Sequence, residues 1–173
     1  EEERRYGEAF VRGLLGAMPD ADAIMANPLR SLEWLPHVEC VVGLVESESG
    51  AGGVVVSEGV RFGVAFNVVH RGLYAQYKMN AFSDMVPWVT VLNRLSGRKE
   101  GEESSRDVKD RLFVALDYEQ RALEGLGQLE DALEKAREVL KLTEELYPAV
   151  HVTIVRSKRA IGGLLQDLGR LSE

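Results

Sequence analysis

Apolar side chains in the middle of the chain recur at helical spacing. Over residues 57–78 the large apolar positions are three or four residues apart, which places them on one face of an α-helix; they are Phe62, Phe66, Val69, Leu73 and Tyr77. Ser57 is suited to cap the first turn and Asn80 to end the helix. A second apolar stripe over 84–95 predicts another helix, with Asp84 as its cap and Pro87 in its first turn. Residues 57–95 are therefore predicted to form a helical hairpin.

The second half of the chain repeats this helical pattern after a polar break. Residues 96–105 contain no apolar side chain and predict a solvated linker. Three amphipathic stretches follow, and they predict helices over 106–126, 129–147 and 149–168. Gly127, Pro148 and Gly169 stand where these helices should end.

The first 56 residues are less regular and predict a helical cap or an irregular region. Residues 2–18 predict a helix with Phe10, Leu14 and Tyr6 on one side, and prolines then divide the chain into short pieces. Two valine-rich runs, 38–45 and 54–56, flank a glycine-rich segment. We favour a helix for the first run, with a small β-hairpin over 38–56 as the alternative because β-branched residues border a flexible turn.

A four-residue word recurs near the end of the chain. Leu126-Gly127-Gln128-Leu129 is followed 42 residues later by Leu168-Gly169-Arg170-Leu171, a period typical of stacked helical hairpins. The surrounding helix–break–helix rhythm over 106–173 resembles the tetratricopeptide-repeat family in its 42-residue, kinesin-light-chain-like form. An ordinary helical bundle with a chance match is the alternative.

The resemblance implies an all-α fold of antiparallel hairpins stacked as an α-solenoid, and it assigns roles to individual positions. Gly127 and Gly169 match the turn glycine, and Leu123 and Leu165 match the large position before it. Ala132 and Gly162 match the small residues at which helices cross. In this family the first helix of each pair lines the groove that binds a partner, and the corresponding positions here are Asp117, Arg121, Glu124, Arg156, Arg159 and Gln166.

Charge and composition narrow the classes of partner. The formal net charge is −7 and the isoelectric point is about 5.1, so we do not expect nucleic acid, which selects basic surfaces. Against that acidic background the cluster at Arg156 and Arg159 favours an acidic peptide or a carboxylate terminus. The alternative is that these arginines pair with neighbouring carboxylates or are simply solvated. No apolar run is long enough to predict a membrane span, and no secretory signal is visible.

Cys40 is the single cysteine, which excludes an internal disulfide and predicts an intracellular, cytoplasmic protein. Its apolar neighbours predict a buried side chain, although a pairing with His37 could in principle activate the thiol. The sequence has no phosphate-binding lysine loop and no cluster of metal ligands. We therefore expect no catalytic residue, cofactor or metal.

These patterns predict a protein–protein interaction module or a scaffold subunit of a larger assembly. A regulatory or structural domain of a larger enzyme is the alternative. The first residue is not methionine and Gly169 stands where a further helix should follow, so we expect the chain to be part of a longer protein.

Overall fold

The computed structural model describes residues 2–47, 60–97 and 105–170, and all regular structure in those ranges is helical. This confirms the all-α prediction. The elements are α1 (Glu2–Ala17), α2 (Ala21–Ala26), a 3₁₀ turn (Pro28–Glu33), α3 (Leu35–Ser47), a π-helical turn (Val60–Ala65) that leads into α4 (Phe66–Lys78), α5 (Phe82–Leu95), α6 (Arg106–Gly125), α7 (Leu129–Leu146) and α8 (Val152–Asp167). The chain divides into two compact units, Glu1–Leu95 and Ser96–Glu173.

The first valine-rich run is helical, as favoured. Val38 and Val41 of α3 are fully buried and Val42 nearly so, because a spacing of three and four residues directs them to one side of a helix. The alternative β-hairpin is wrong over the described part of 38–56, since burial of this stripe outweighs the β propensity of valine. Its second run at 54–56, and the proposed cap Ser57, lie outside the described residues.

In the first unit, α1 buries only one residue of its predicted apolar stripe. Val11, Leu14 and Met18 are buried, whereas Tyr6 is 76% exposed and Phe10 is 40% exposed. Both sets have helical spacing, and the neighbouring helices determine which one is covered. Of the stripe formed by Tyr6, Phe10 and Leu14, only Leu14 is buried.

Helices α4 and α5 form an antiparallel pair, and a glycine lies at their point of close contact. Tyr77 and Phe82 lie beside each other at the turn, with ring centroids 6.5 Å apart. Further from the turn, Gly72 lies against the buried ring of Trp88 and the side chain of Val38. The missing Cβ is therefore what allows α3 and α5 to approach α4 this closely.

The start of α5 differs from the prediction. The helix begins at Phe82, so Asp84 lies inside its first turn and is not its cap, and Pro87 lies beyond that turn. The carbonyl of Ala81 accepts the amides of Asp84 and Met85 at 3.1 and 3.2 Å. The helix can begin this early because the preceding turn is only a few residues long.

Arg71 of α4 fixes the end of α1. Its Nη1 atom donates to the carbonyl oxygens of Leu15 and Met18 at 3.0 and 3.1 Å. The last carbonyls of a helix have no partner within the helix, and a cation is favoured there by the helix dipole. Arg71 thus joins two elements that are more than fifty residues apart in sequence.

In the second unit, α6, α7 and α8 follow one another in antiparallel order, with α7 packed against both neighbours. Ion pairs connect successive helices. Along these pairs the residue number increases on one helix and decreases on the other, as antiparallel packing requires. The pairs are Lys109–Glu145 (2.9 Å) and Lys135–Glu119 (3.6 Å) between α6 and α7, and Lys158–Glu144 (3.6 Å) and Arg170–Glu130 (2.9 Å) between α7 and the α8 end.

Two apolar clusters hold these three helices together. One is centred on Ala132, Leu133, Ala136 and Leu164, with Leu123, Leu129, Ile161, Leu165 and Leu168 packed around it. The other joins Leu116 of α6 to Val139 and Leu142 of α7. The small side chains of Ala132 and Ala136 let the helices come close, as expected for Ala132.

Three helices end in the same turn. Asn80, Gly127 and Gly169 all have left-handed φ values, of 56°, 75° and 71°. In each turn the next residue donates its amide to a carbonyl five positions back, in Gln76, Leu123 and Leu165 respectively, at 2.8–2.9 Å. This is the Schellman ending, which satisfies carbonyls left open by the helix. The predicted stop at Asn80 is confirmed, and the two copies of the four-residue word have the same backbone ending.

Candidate functional site

Helix α8 buries one face and leaves the opposite face open within the described residues. Ile154, Ser157 and Leu164 are buried towards α7, and Ile161 and Leu165 are partly buried beside them. The opposite face contains the exposed residues Val152, Val155, Arg156, Arg159, Gly162, Gly163 and Gln166. This open face includes three of the six predicted partner-binding residues.

Those three residues, Arg156, Arg159 and Gln166, are exposed on α8, and their side chains make no hydrogen bond or ion pair with any described residue. Arg156 and Arg159 are three residues apart and so lie on one side of the helix. Lys158, which the sequence places nearby, instead pairs with Glu144 of α7. The two guanidinium groups are thus available to a partner.

The other three predicted residues, on α6, have internal partners. Arg121 and Asp117 form a two-contact ion pair, with Nε–Oδ2 at 2.8 Å and Nη2–Oδ1 at 3.3 Å, and both side chains are more than two-thirds covered. Glu124 accepts a hydrogen bond from Gln120 at 2.8 Å. No hydrogen bond or ion pair connects this group to Arg156, Arg159 or Gln166. The role of all six residues in partner binding stays a prediction.

Beside the two arginines is an exposed valine group that the sequence analysis missed. Val150 is 92% exposed, Val152 64% and Val155 61%. The signal was present, because Val152, Val155 and Arg159 are spaced by three and four residues and form a second stripe on α8. It was obscured by the run Val150-His151-Val152-Thr153-Ile154-Val155, in which polar and apolar residues alternate at first and helical spacing is hard to recognise.

The turn before α8 holds this group in place. The Tyr147 and His151 rings stack, with centroids 4.3 Å apart and planes at 8°. His151 also caps α8, since its Nδ1 atom accepts the amide of Thr153 at 3.3 Å. This constrained turn holds Val150 just before α8 and Val152 at the first position of the helix.

Gly162 is not a crossing point within the described structure. A Cβ atom built on Gly162 would meet no atom within 4 Å, and the same holds for Gly163. Gly162 faces away from α7, so none of the described helices crosses it. It lies instead on the open face of α8, where the backbone is accessible. A crossing with a helix that follows Gly169 stays a prediction.

Charge differs sharply between α8 and α7. Helix α8 has three basic residues and one acidic residue, whereas α7 has six acidic and three basic residues. Burial disfavours the charge of Lys135, but its hydrogen bond and attraction to Glu138, together with Glu119, outweigh burial and raise its pKa. A hydrogen bond from Lys109 and the charge of that lysine lower the pKa of Glu145. Several charged side chains of α7 are thus paired with residues of α6 or of α7 itself.

The described residues that could indicate a catalytic thiol or a metal site do not form one. Cys40 is exposed rather than buried, because it lies on the side of α3 opposite Val38 and Val41; that prediction is wrong. His37 is exposed as well and lies 6.1 Å from Trp34, ring to ring. Among the described residues no group of histidine, cysteine or carboxylate side chains could hold a metal. No helix in that part of the chain has the length and apolar character to cross a membrane.

Comparisons of this chain with protein-family models, with curated proteins and with solved structures find no match.

Proposed function

We propose that this chain is a protein–protein interaction module, a scaffold subunit that binds a partner protein or peptide through stacked helical hairpins of the tetratricopeptide type. In this arrangement α6 and α7 form one pair and α8 is the first helix of the next. The matching helix ends at Gly127 and Gly169, 42 residues apart, support this assignment.

The observation that carries the proposal is the open face of α8. A helix that packs on only one neighbour exposes positions that a further element or a partner can cover. Here those positions combine exposed valines with two arginines that lack a described counter-ion. Scattered apolar residues are common on protein surfaces, but exposed apolar residues that share one helix face with unpaired charges favour an interaction site.

The test is affinity capture on the full 173-residue chain, followed by purification of each captured protein and titration calorimetry in solution. We expect at least one captured protein to bind saturably, in a fixed ratio and with micromolar affinity or better. Capture on an unrelated acidic helical protein of similar size controls for charge. If no purified candidate binds the chain in solution, an interaction module is the wrong function.

A further inference from the structure

We propose that one surface of α8 binds an acidic amphipathic helix of another protein. This surface, the α8 patch, consists of Val150, Val152, Val155, Arg156 and Arg159. The inference rests on the proposed function and deepens it by stating the chemistry of the partner. The proposed partner contacts α8 alone, whereas the predicted groove included residues of both α6 and α8.

The arrangement of the patch sets the shape of the partner. Val152, Val155 and Arg159 follow one another at intervals of three and four residues, and Arg156 lies four residues after Val152, so all four occupy one side of the helix. Such a stripe fits the apolar edge of a second helix, whose own residues repeat at the same spacing. The two exposed glycines, Gly162 and Gly163, allow the backbones to come close further along α8.

The charges set the chemistry of the partner. Arg156 and Arg159 have no described counter-ion, and glutamate or aspartate side chains can accept paired hydrogen bonds from each guanidinium group. The chain has a net negative charge, which repels an acidic segment. Such a segment is therefore expected to bind where the local charge is positive. With three basic residues and one acidic residue, α8 provides that place in the second unit.

Other occupants fit less well. A second copy of this chain that paired α8 with α8 would bring the same two arginines together, and like charges oppose such contact. An anionic membrane would also be attracted to the arginines, but two unpaired cations on a chain of net charge −7 give little attraction to a negatively charged surface. The α6 residues Asp117 and Arg121 neutralise each other and add nothing to the patch.

The experiment uses the full chain and a designed helical peptide of about five turns, with leucines at helical spacing and glutamates flanking them. Two matched peptides replace every glutamate with glutamine or with lysine. Fluorescence anisotropy should show saturable binding of the glutamate peptide, weaker binding of the glutamine peptide and none of the lysine peptide. Added salt should weaken the first interaction. Equal binding of all three peptides would overturn the proposal.

Two double variants locate the contact. Arg156→Glu with Arg159→Glu, and separately Val152→Ser with Val155→Ser, should each weaken binding of the glutamate peptide by roughly tenfold or more. The controls are Arg30→Glu with Arg94→Glu, which changes the net charge equally at exposed positions in the first unit, and Val86→Ser, an exposed valine of α5. Circular dichroism should show that every variant remains folded. Unchanged binding by both patch variants would exclude the α8 patch.

Two further measurements cover the other occupants. A dimer in light scattering that the valine variant converts to a monomer, or binding of phosphatidylserine–phosphatidylcholine vesicles without peptide binding, would each overturn the proposal. Failure here is distinct from failure of the proposed function. If a captured partner binds the arginine variant as tightly as the wild type, the interaction module stands and the α8 patch does not. If nothing is captured, the peptide titration still decides the patch.

Discussion

Gly72 provides the sharpest test of how the first unit packs. A Cβ atom at this position would overlap Trp88 Cζ3 and lie 3.1 Å from Trp88 Cε3 and 3.0 Å from Val38 Cγ1. Both neighbours are buried, so neither can move out into solvent. Gly72→Ala therefore adds one methyl group at the point where α3, α4 and α5 meet.

Two opposing effects decide the outcome. Alanine is more favourable than glycine inside a helix by about 0.5–1 kcal/mol, whereas adding a methyl group to a packed core costs about 1–3 kcal/mol. The steric cost should exceed the helix gain because the overlap involves a rigid indole ring. We expect Gly72→Ala to lower the free energy of unfolding by about 0.5–2 kcal/mol. Gly13→Ala in α1 is the matched control, since its Cβ would meet nothing within 4 Å.

The assay is urea unfolding followed by tryptophan fluorescence, with the slope compared between variants to confirm that the unfolded state is unchanged. Gly13→Ala should raise the free energy of unfolding by about 0.5–1 kcal/mol. Trp88→Phe removes the overlapping part of the ring, so Gly72→Ala should cost less in that background. Equal stabilisation by Gly72→Ala and Gly13→Ala would show that the helices do not cross at Gly72.

Three further predictions concern the second unit. Ala132→Leu should lower the free energy of unfolding, measured in urea, by about 1–3 kcal/mol, because Ala132 is fully buried. The control Glu134→Leu is at an exposed position and should not lower it. The same free energy of unfolding for both variants would count against the packing described. Gly162→Ala should stabilise α8 by about 0.5–1 kcal/mol, measured by thermal melting, and a loss of stability would place a helix against it. Because the pKa of Glu145 is lower in the folded protein, this carboxylate stabilises the fold at a pH above its unfolded-state pKa. The stabilisation is lost as the pH falls through the pKa of the folded state. Glu145→Gln should therefore reduce the dependence of unfolding free energy on acid pH, and an unchanged pH profile would refute this.

Helix positions were largely predictable because periodicity and helix-ending residues agree. Gly127 and Gly169 adopt the left-handed φ that glycine permits, so the ends of α6 and α8 followed from the sequence. The inner face of α1 did not, because Tyr6 and Phe10 have spacing as regular as that of Val11 and Leu14. Periodicity identifies a stripe, but only the neighbouring helices determine whether it is covered.

The candidate site was partly visible for the same reason. The family resemblance placed Arg156 and Arg159 in a partner groove, and their charge and spacing marked them as a basic cluster. That they lack described counter-ions became visible only in the structure. The pairing of Asp117 with Arg121 followed an ordinary four-residue interval, yet sequence alone could not decide between an internal pair and two free charges. Exposure of Val152 and Val155 depended on which side of α8 meets α7.

The hydrogen bonds from Arg71 to Leu15 and Met18 have a consequence for the order in which the chain folds. During synthesis the end of α1 leaves the ribosome long before Arg71 does, so its carbonyls must remain hydrated until α4 emerges. In the second unit each helix packs on the one just before it, and contacts between sequence neighbours form fastest. The first unit therefore closes late in its own synthesis, whereas the second assembles helix by helix as it is made.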